Sequence, residues 1–140
     1  MNEHLTVKSG INIMAPASKV WEVLTKSEFI RQWDDIPEGF TADSLSLGSV
    51  LEWAGYSMLT VKSFEPNKLL YLSLYSLKWD LPPSSYDIGY TYNLSTESQF
   101  TLLTVEIGDF SQLPEGEKYY QSSLEFVNIA LKKIKGLSEM

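Results

Sequence analysis

Polar and apolar side chains alternate over residues 5–13, the first stretch of the chain with a regular pattern. Leu5, Val7, Ile11 and Ile13 occupy odd positions, and the even positions between them carry polar or small residues. A period of two is typical of a β-strand that buries one of its faces. The pattern therefore predicts a strand over residues 5–13.

A helical period replaces this alternation after Pro16. Proline suits the first turn of a helix, because the N–H group that it lacks would have no partner there. Val20, Val23 and Leu24 then form one apolar stripe. A second short helix is predicted over residues 28–33, whose first turn begins with a favourable glutamate.

Strand-like segments follow one another through the middle of the chain. The turns between them are rich in glycine, proline, asparagine and serine. Short connections of this kind favour an antiparallel meander over a parallel sheet. Six strands are predicted, over residues 40–46, 49–54, 57–65, 68–79, 85–95 and 99–109.

The last element is a long amphipathic helix. Its apolar residues are spaced by four, three, four and three positions, which keeps them on one helical face. Glutamates lie near its start and three lysines near its end, so charge complements the helix dipole at both ends. The residues of this stripe are Tyr120, Leu124, Val127, Leu131 and Ile134.

These elements predict one α+β domain over residues 1–140, in the order β-α-α-β6-α. A length of 140 residues and a 44% hydrophobic content suffice for one well-buried core. A curved antiparallel sheet folded around a terminal helix tends to enclose a cavity. The order of elements therefore indicates a container for a small molecule.

Charge and composition limit the classes of partner and of site that the chain can have. A net charge of −7 with a single arginine, Arg31, argues against a nucleic-acid or anionic membrane surface. The absence of cysteine removes disulfides, thiolate metal sites and cysteine nucleophiles. No apolar run is long enough for a membrane span, and no secretion signal is evident at the start, so a cytoplasmic location is expected.

Three motifs carry a resemblance to a known family. They are the run Ala-Pro-Ala-Ser-Lys-Val-Trp-Glu-Val-Leu-Thr at 15–25 with Trp33 after it, Pro-Asn-Lys-Leu-Leu-Tyr at 66–71, and Thr-Leu-Leu-Thr-Val at 101–105. In this order the chain resembles the START/Bet v 1-like superfamily, and within it the bacterial relatives of the activator of the Hsp90 ATPase. The resemblance implies a helix-grip fold, with a seven-stranded curved antiparallel sheet around the C-terminal helix.

The resemblance also implies a cavity between sheet and helix that takes hydrophobic or amphipathic molecules. Two positions depart from the family pattern: Ile107 stands where many relatives have histidine, and Ser73 where many have tryptophan. The first departure removes the expected proton-transfer group from the pocket. The second is expected to enlarge the pocket and to give it a hydroxyl.

Strand alternation and the helical stripe predict which residues bind the ligand. A filled core, with the tyrosine hydroxyls directed to solvent, is the alternative. Tyr90 is a further candidate for the inward face. The predicted ligand-binding residues are Trp53, Tyr71, Ser73, Tyr75, Tyr92, Leu103, Val105 and Ile107 on the strands, and Tyr120, Leu124 and Val127 on the helix.

No catalytic residue, metal ligand or cofactor is predicted. Asp34, Asp35 and Glu38 match no calcium-loop spacing and are interpreted as a solvated acidic loop at the cavity mouth. Asp87 and Glu106 could act as buried acids, but strand alternation favours their exposure. The only histidine, His4, lies near the chain start and is an improbable catalyst.

Three functions remain open. The first is non-catalytic binding, transport or sensing of a hydrophobic or aromatic small molecule by a monomer or weak dimer. The second is an enzyme of the aromatase/cyclase type, which would need a positioned acid such as Asp87 or Glu106. The third is a chaperone or stress-protein regulator that contacts a protein through an apolar patch around Trp79 and residues 81–83.

Overall fold

The computed structural model describes residues 5–53, 56–79, 81–82 and 85–140. Three α-helices, six strands and one 3-10 turn occur in these ranges. Their order confirms the predicted α+β helix-grip fold. The elements are β1 (Val7–Ile13), α1 (Ala17–Thr25), α2 (Ser27–Trp33), β2 (Val50–Trp53), β3 (Ser57–Glu65), β4 (Leu69–Ser76), β5 (Gly89–Thr96), β6 (Thr101–Gly108), the 3-10 turn (Phe110–Gln112) and α3 (Gly116–Ser138).

The six strands form one antiparallel sheet in the order β1-β6-β5-β4-β3-β2. Strands β2 to β6 are a meander, and β1 pairs with β6, so that Val7 lies opposite Ile107. Val7 and Ile13, at the two ends of β1, are both fully buried. The predicted alternation of β1 therefore places its apolar face on the core.

Helices α1 and α2 close one end of the space between the sheet and α3. Val20, Val23 and Leu24 of α1 are at most 1% exposed, as the apolar stripe predicts. Trp33, the last residue of α2, is buried and donates its indole N–H to the carbonyl of Val23 at 2.8 Å. This bond fixes the angle between the two helices.

The predicted strand over residues 40–46 is wrong, and the described sheet has six strands where seven were expected. The segment forms a single bridge between Ser44 and Lys26. The amide of Ser27 donates to the carbonyl of Asp43, and the amide of Leu45 donates to the carbonyl of Thr25, both at 2.8 Å. Because its backbone groups bond to the junction between α1 and α2, the segment does not join the sheet.

Strand β4 has the opposite orientation to the predicted one. Leu70 and Leu72 are buried on the concave face, whereas Tyr71, Ser73 and Tyr75 are half-buried on the other face. The predicted inward direction of these last three residues is therefore wrong. Leucines fill the core without a polar group that needs a partner, and tyrosines on the outer face can satisfy their hydroxyls.

Those hydroxyls do find partners outside the core. Tyr75 donates to the carbonyl of Leu81 at 2.7 Å, and Tyr71 lies 3.4 Å from a carboxylate oxygen of Asp87. The ring of Tyr75 also contacts those of Trp79 and Tyr86, in the connection between β4 and β5, with centroids 5.6 and 6.2 Å apart.

The C-terminal half of α3 packs tightly on the core. Val127, Leu131 and Ile134 of the predicted stripe are at most 5% exposed. At the end of the helix, Lys135 donates to the carbonyl of Asn12 at 3.0 Å and pairs with Glu139. Within the described ranges, no helix combines the length and apolar character needed to cross a membrane.

Candidate functional site

A cavity of about 430 Å³ lies between the N-terminal half of α3 and strands β3 to β5. It opens widely to solvent. We call it the main cavity, although a depression beside β2, whose lining residues lie outside α3, is larger at about 690 Å³. Its walls come from α3, from the concave face of the sheet, from the connection between β4 and β5, and from Asp34 at the end of α2.

Helix α3 contributes Tyr119, Ser122, Ser123 and Phe126 to the main cavity. These residues follow a spacing of three and four and therefore share one helical face. The two serines are small, so they leave space where leucines would fill the gap to the sheet. The ring of Phe126 contacts that of Tyr90 edge-on, with centroids 6.2 Å apart.

The sheet provides the opposite wall. Leu74 and Ser76 of β4, Ser57 of β3 and Tyr90 of β5 face the main cavity. Leu74 and Ser76 lie on the same face of β4 as the buried leucines, because successive side chains of a strand alternate. The lining on this side therefore combines apolar surface with a few hydroxyl groups.

An aromatic cluster borders the outer part of the main cavity. Trp79 packs edge-on against Tyr119 and donates its indole N–H to the Tyr119 hydroxyl at 3.2 Å. Its ring also lies 4.9 Å from that of Tyr86, and Phe110 stacks on Tyr119 at 5.6 Å. These contacts attach the connection between β4 and β5 to the start of α3.

A much smaller space, the inner recess, lies beyond Tyr90 toward α2. Its volume is about 20 Å³, close to that of one water-sized probe, and leucines and Trp33 surround it. Asp34 and Tyr90 line both spaces, and Tyr92 lines the inner recess alone. The core is therefore filled at its inner end and open at the main cavity.

The electrostatics of this boundary are unusual. Desolvation by surrounding protein raises the pKa of Asp34 from 3.8 to about 6, although the residue is solvent-exposed by surface area. A backbone hydrogen bond from Asp35 lowers this pKa, and the charge of Asp35 raises it. Perturbed carboxyls that face a cavity are candidates for functional groups.

Two tyrosines accompany this carboxyl. Desolvation, together with the charge of Asp34, raises the pKa of Tyr90 to about 12. Desolvation and the same charge raise the pKa of Tyr92 well above its ordinary value. Among the described residues, neither hydroxyl has a hydrogen-bond partner. Both phenols therefore stay protonated at neutral pH, and Tyr90 is the one that borders the main cavity.

The predicted ligand-binding residues lie in several places. Tyr92 borders the inner recess, and Trp53 lies in a surface depression beside β2, where its indole N–H donates to Asp35 at 3.1 Å. Tyr71, Ser73 and Tyr75 face the other side of the sheet. The remaining ones belong to the core or its border and line neither the main cavity nor the inner recess: Leu103, Val105, Ile107, Tyr120, Leu124 and Val127.

Sequence reasoning missed most of the residues that do line the main cavity. On α3 the lining face is turned away from the apolar stripe, and its two serines resemble solvent-facing positions. The sequence does contain an indication of this lining face: Tyr119 and Phe126 are seven residues apart and therefore lie on one side of the helix. Asp34 was interpreted as part of a solvated loop at the cavity mouth; it is exposed, but it lies at the boundary between the two spaces, which was not foreseen.

The candidate acids of the cyclase hypothesis are exposed. Glu106 forms a 3.8 Å ion pair with Lys8 on the outer face of the sheet, and Asp87 lies beside Tyr71. His4 lies outside the described residues. Within those residues, no group of three or more acidic or histidine side chains could hold a metal ion. The cyclase hypothesis therefore loses both acids that it named.

A family model described as activator of Hsp90 ATPase homolog 1-like protein matches residues 14–139. That range contains 126 of the 140 residues, from 139 − 14 + 1. The chain belongs to this family. The resemblance drawn from the three motifs is thus confirmed, and the fold of the family supports ligand binding.

Solved structures with low sequence identity share the fold. Protein MLL2253 from Mesorhizobium loti has a TM-score of 0.71 at 22% identity, over 94% of this chain and 95% of that one. The Aha1 dimer from Colwellia psychrerythraea has a TM-score of 0.69 at 17% identity, over 96% of each chain. DynU16, from the dynemicin biosynthetic locus, gives 0.66 at 18%, over 99% of this chain and 51% of that one. No curated protein matches by sequence.

Proposed function

We propose that this family member binds a hydrophobic or aromatic small molecule in the main cavity, without chemical conversion, as a carrier or sensor. The observation that carries the proposal is the cavity of about 430 Å³ between α3 and the sheet. Cavities that bind small molecules are concave and mostly apolar, with a few polar groups that orient the guest. The main cavity has this composition.

The walls of the main cavity suit an aromatic guest. Trp79, Tyr119 and Phe126 offer ring faces and edges on one side, and Leu74 offers aliphatic surface on the other. Aromatic rings contribute large contact areas with few rotatable bonds. The serines on α3 and Ser57 on β3 supply hydroxyls that can bond to a polar substituent, whereas the Ser76 hydroxyl already donates to the carbonyl of Tyr56.

The test is to fill the main cavity from the helix. In Ser123→Trp the indole would occupy the space between α3 and the sheet, whereas in Gln121→Trp the same side chain would sit on an exposed position of α3. Binding of the neutral aromatic dye Nile red is measured by its fluorescence. We expect wild type and Gln121→Trp to bind alike and Ser123→Trp to lose at least about tenfold in affinity, equivalent to 1.4 kcal/mol.

Equal dye binding by Ser123→Trp and wild type would contradict the proposal, as would failure of the wild type to bind. Native mass spectrometry of the purified wild type complements the dye. A noncovalent adduct that disappears on denaturation would give the mass of a resident guest, and it should be lost from Ser123→Trp.

A protein contact is the second candidate function. Tyr56, Leu77 and Leu81 lie near the cavity opening and are 64%, 61% and 53% exposed. We propose that a second copy of the chain is the occupant, since the Colwellia relative is described as a dimer. Sedimentation velocity should show a dimer that the double variant Leu77→Ser/Leu81→Ser weakens. A monomer at all concentrations would contradict this candidate.

A further inference from the structure

Two charged side chains line the main cavity within the described ranges, and they occupy different parts of it. Lys78 is exposed, and its ammonium lies 5.6 Å from the centre of the Tyr56 ring. Asp34 is exposed as well, but it lies at the boundary between the main cavity and the inner recess, which it also lines. A guest in the main cavity therefore has Lys78 at the Tyr56 side and a carboxylate at the boundary with the inner recess.

The carboxylate of Asp34 lacks a cationic partner. None of the salt bridges among the described residues includes it, and its neighbour Asp35 adds a second negative charge. It accepts one hydrogen bond, from the backbone of Asp35. A partly desolvated carboxylate in this state is stabilised by any cation that reaches it.

The aromatic walls also favour a positively charged guest. Trp79, Tyr90, Phe110, Tyr119 and Phe126 all border the main cavity. The faces of aromatic rings carry negative electrostatic potential and attract ammonium groups, most strongly where water is excluded. An anionic guest would meet these rings and the negative charge of Asp34, with only Lys78 in its favour.

Two further oxygens lie at the inner boundary. Tyr92 is 4% exposed and lines the inner recess, and Tyr90 lines both spaces. Neither hydroxyl has a partner among the described residues. The charge of Asp34 acts on both hydroxyls. Only Tyr90 of the two borders the main cavity, and its oxygen with the two carboxylate oxygens offers three acceptors to the three N–H donors of an ammonium group.

We propose that the main cavity selects an apolar or aromatic molecule carrying a basic amine, with the ammonium at Asp34 and the apolar body against the aromatic wall. This inference rests on the proposed function, because it names the class of guest for the same cavity. It assigns Asp34 as the residue that sets specificity and gives Tyr90 a role in holding the amine.

The test compares three probes that share one ring system. They are 2-(1-naphthyl)ethylamine, 2-(1-naphthyl)ethanol and 1-naphthaleneacetate, which are cationic, neutral and anionic at pH 7.5. Affinities are measured by calorimetry for wild type, Asp34→Asn and Asp35→Asn. Asp35 is the matched control, because it neighbours Asp34 but does not line the main cavity.

We expect wild type to bind the amine about tenfold or more tightly than the alcohol, as a charge-assisted hydrogen bond allows. Asp34→Asn should lose this preference while it keeps its affinity for the alcohol, and Asp35→Asn should retain most of the preference. Equal or weaker binding of the amine by wild type, or an unchanged preference in Asp34→Asn, would overturn the inference and leave the container function standing. Failure of all three probes to bind would overturn both.

Discussion

The two halves of α3 lie over the same sheet and have opposite packing. In the C-terminal half, Ala130, Leu131 and Ile134 are at most 5% exposed and fill the gap to β1 and α1. In the N-terminal half, Ser122 and Ser123 face the main cavity. The difference is one of side-chain size at inward positions. Aliphatic residues close one end of the gap, and serines flanked by aromatic residues leave the other end open.

The two halves of the helix therefore contribute to different properties of the protein. The closed half contributes apolar burial, which is the main source of stability in a domain of this size. The open half buries less apolar surface and borders a space that a guest can occupy. We therefore expect substitutions in the two halves to affect different properties.

The largest expected effect is on stability in the closed half. Ile134→Ala should lower the free energy of unfolding by about 3–4 kcal/mol, because it leaves a void in a fully packed site. Phe126→Ala, at the border of the main cavity, should cost about 1–2 kcal/mol, since one side of this ring already lacks packing partners. Urea denaturation measures both. A larger loss for Phe126→Ala would break the proposed contrast.

An intermediate effect is expected at the cavity rim. Trp79→Ala removes the ring contacts with Tyr119 and Tyr86 and the bond to the Tyr119 hydroxyl. We expect a loss of about 1–2 kcal/mol in stability and faster release of a bound dye in stopped-flow experiments. Trp79→Phe, which keeps a ring but not the N–H, should be closer to wild type. Unchanged release in Trp79→Ala would show that this cluster does not control access.

The smallest effect concerns pH. The folded state raises the pKa of Asp34 to about 6 from 3.8, so the folded protein holds this proton more tightly than the unfolded chain. Wild type should therefore lose stability from this group as pH rises from about 4 to about 6. Asp34→Asn lacks this carboxyl and should not lose that stability, so its free energy of unfolding should rise relative to wild type over the same pH range. The rise should be about 1 kcal/mol at most, because solvent screens the exposed carboxyl of Asp34.

Urea denaturation of both proteins between pH 4 and pH 8 tests this sign. The other titratable groups near Asp34 or lining the main cavity are Asp35, Tyr56, Lys78, Tyr90, Tyr92 and Tyr119, and all are unchanged in the variant. A stability difference that stays constant with pH, or that shifts in favour of wild type as pH rises from about 4 to about 6, would show that the folded state does not raise this pKa.

The order of elements could be predicted from the sequence because each one has a local pattern. Val7 and Ile13 in β1 and the stripe from Leu124 to Ile134 in α3 needed only the periods of strand and helix. The segment 40–46 could not be placed in this way. Its alternation is strand-like, but its backbone bonds to the carbonyl of Thr25 and the amide of Ser27. These partners lie far away in the sequence, so the local pattern does not reveal them.

The site was harder to predict than the fold. In β4 leucines and tyrosines alternate, so both faces are apolar enough to be buried, and a shift of one residue exchanges Leu72 for Tyr71 or Ser73. On α3 the lining serines look like solvent-facing residues. Only the tertiary structure shows that half-buried Ser123 and exposed Ser122 border the main cavity.

The most direct test of the contrast between the two halves of α3 is an NMR titration of the ¹⁵N-labelled protein with 2-(1-naphthyl)ethanol, a neutral probe. We predict that shift changes concentrate at the open end, in residues such as Ser57, Ser76, Tyr119, Ser123 and Phe126, and that Val20, Leu131 and Ile134 stay unperturbed. Shift changes centred on the depression beside Trp53, or saturable changes equal in both halves of α3, would contradict the assignment of the main cavity as the binding site.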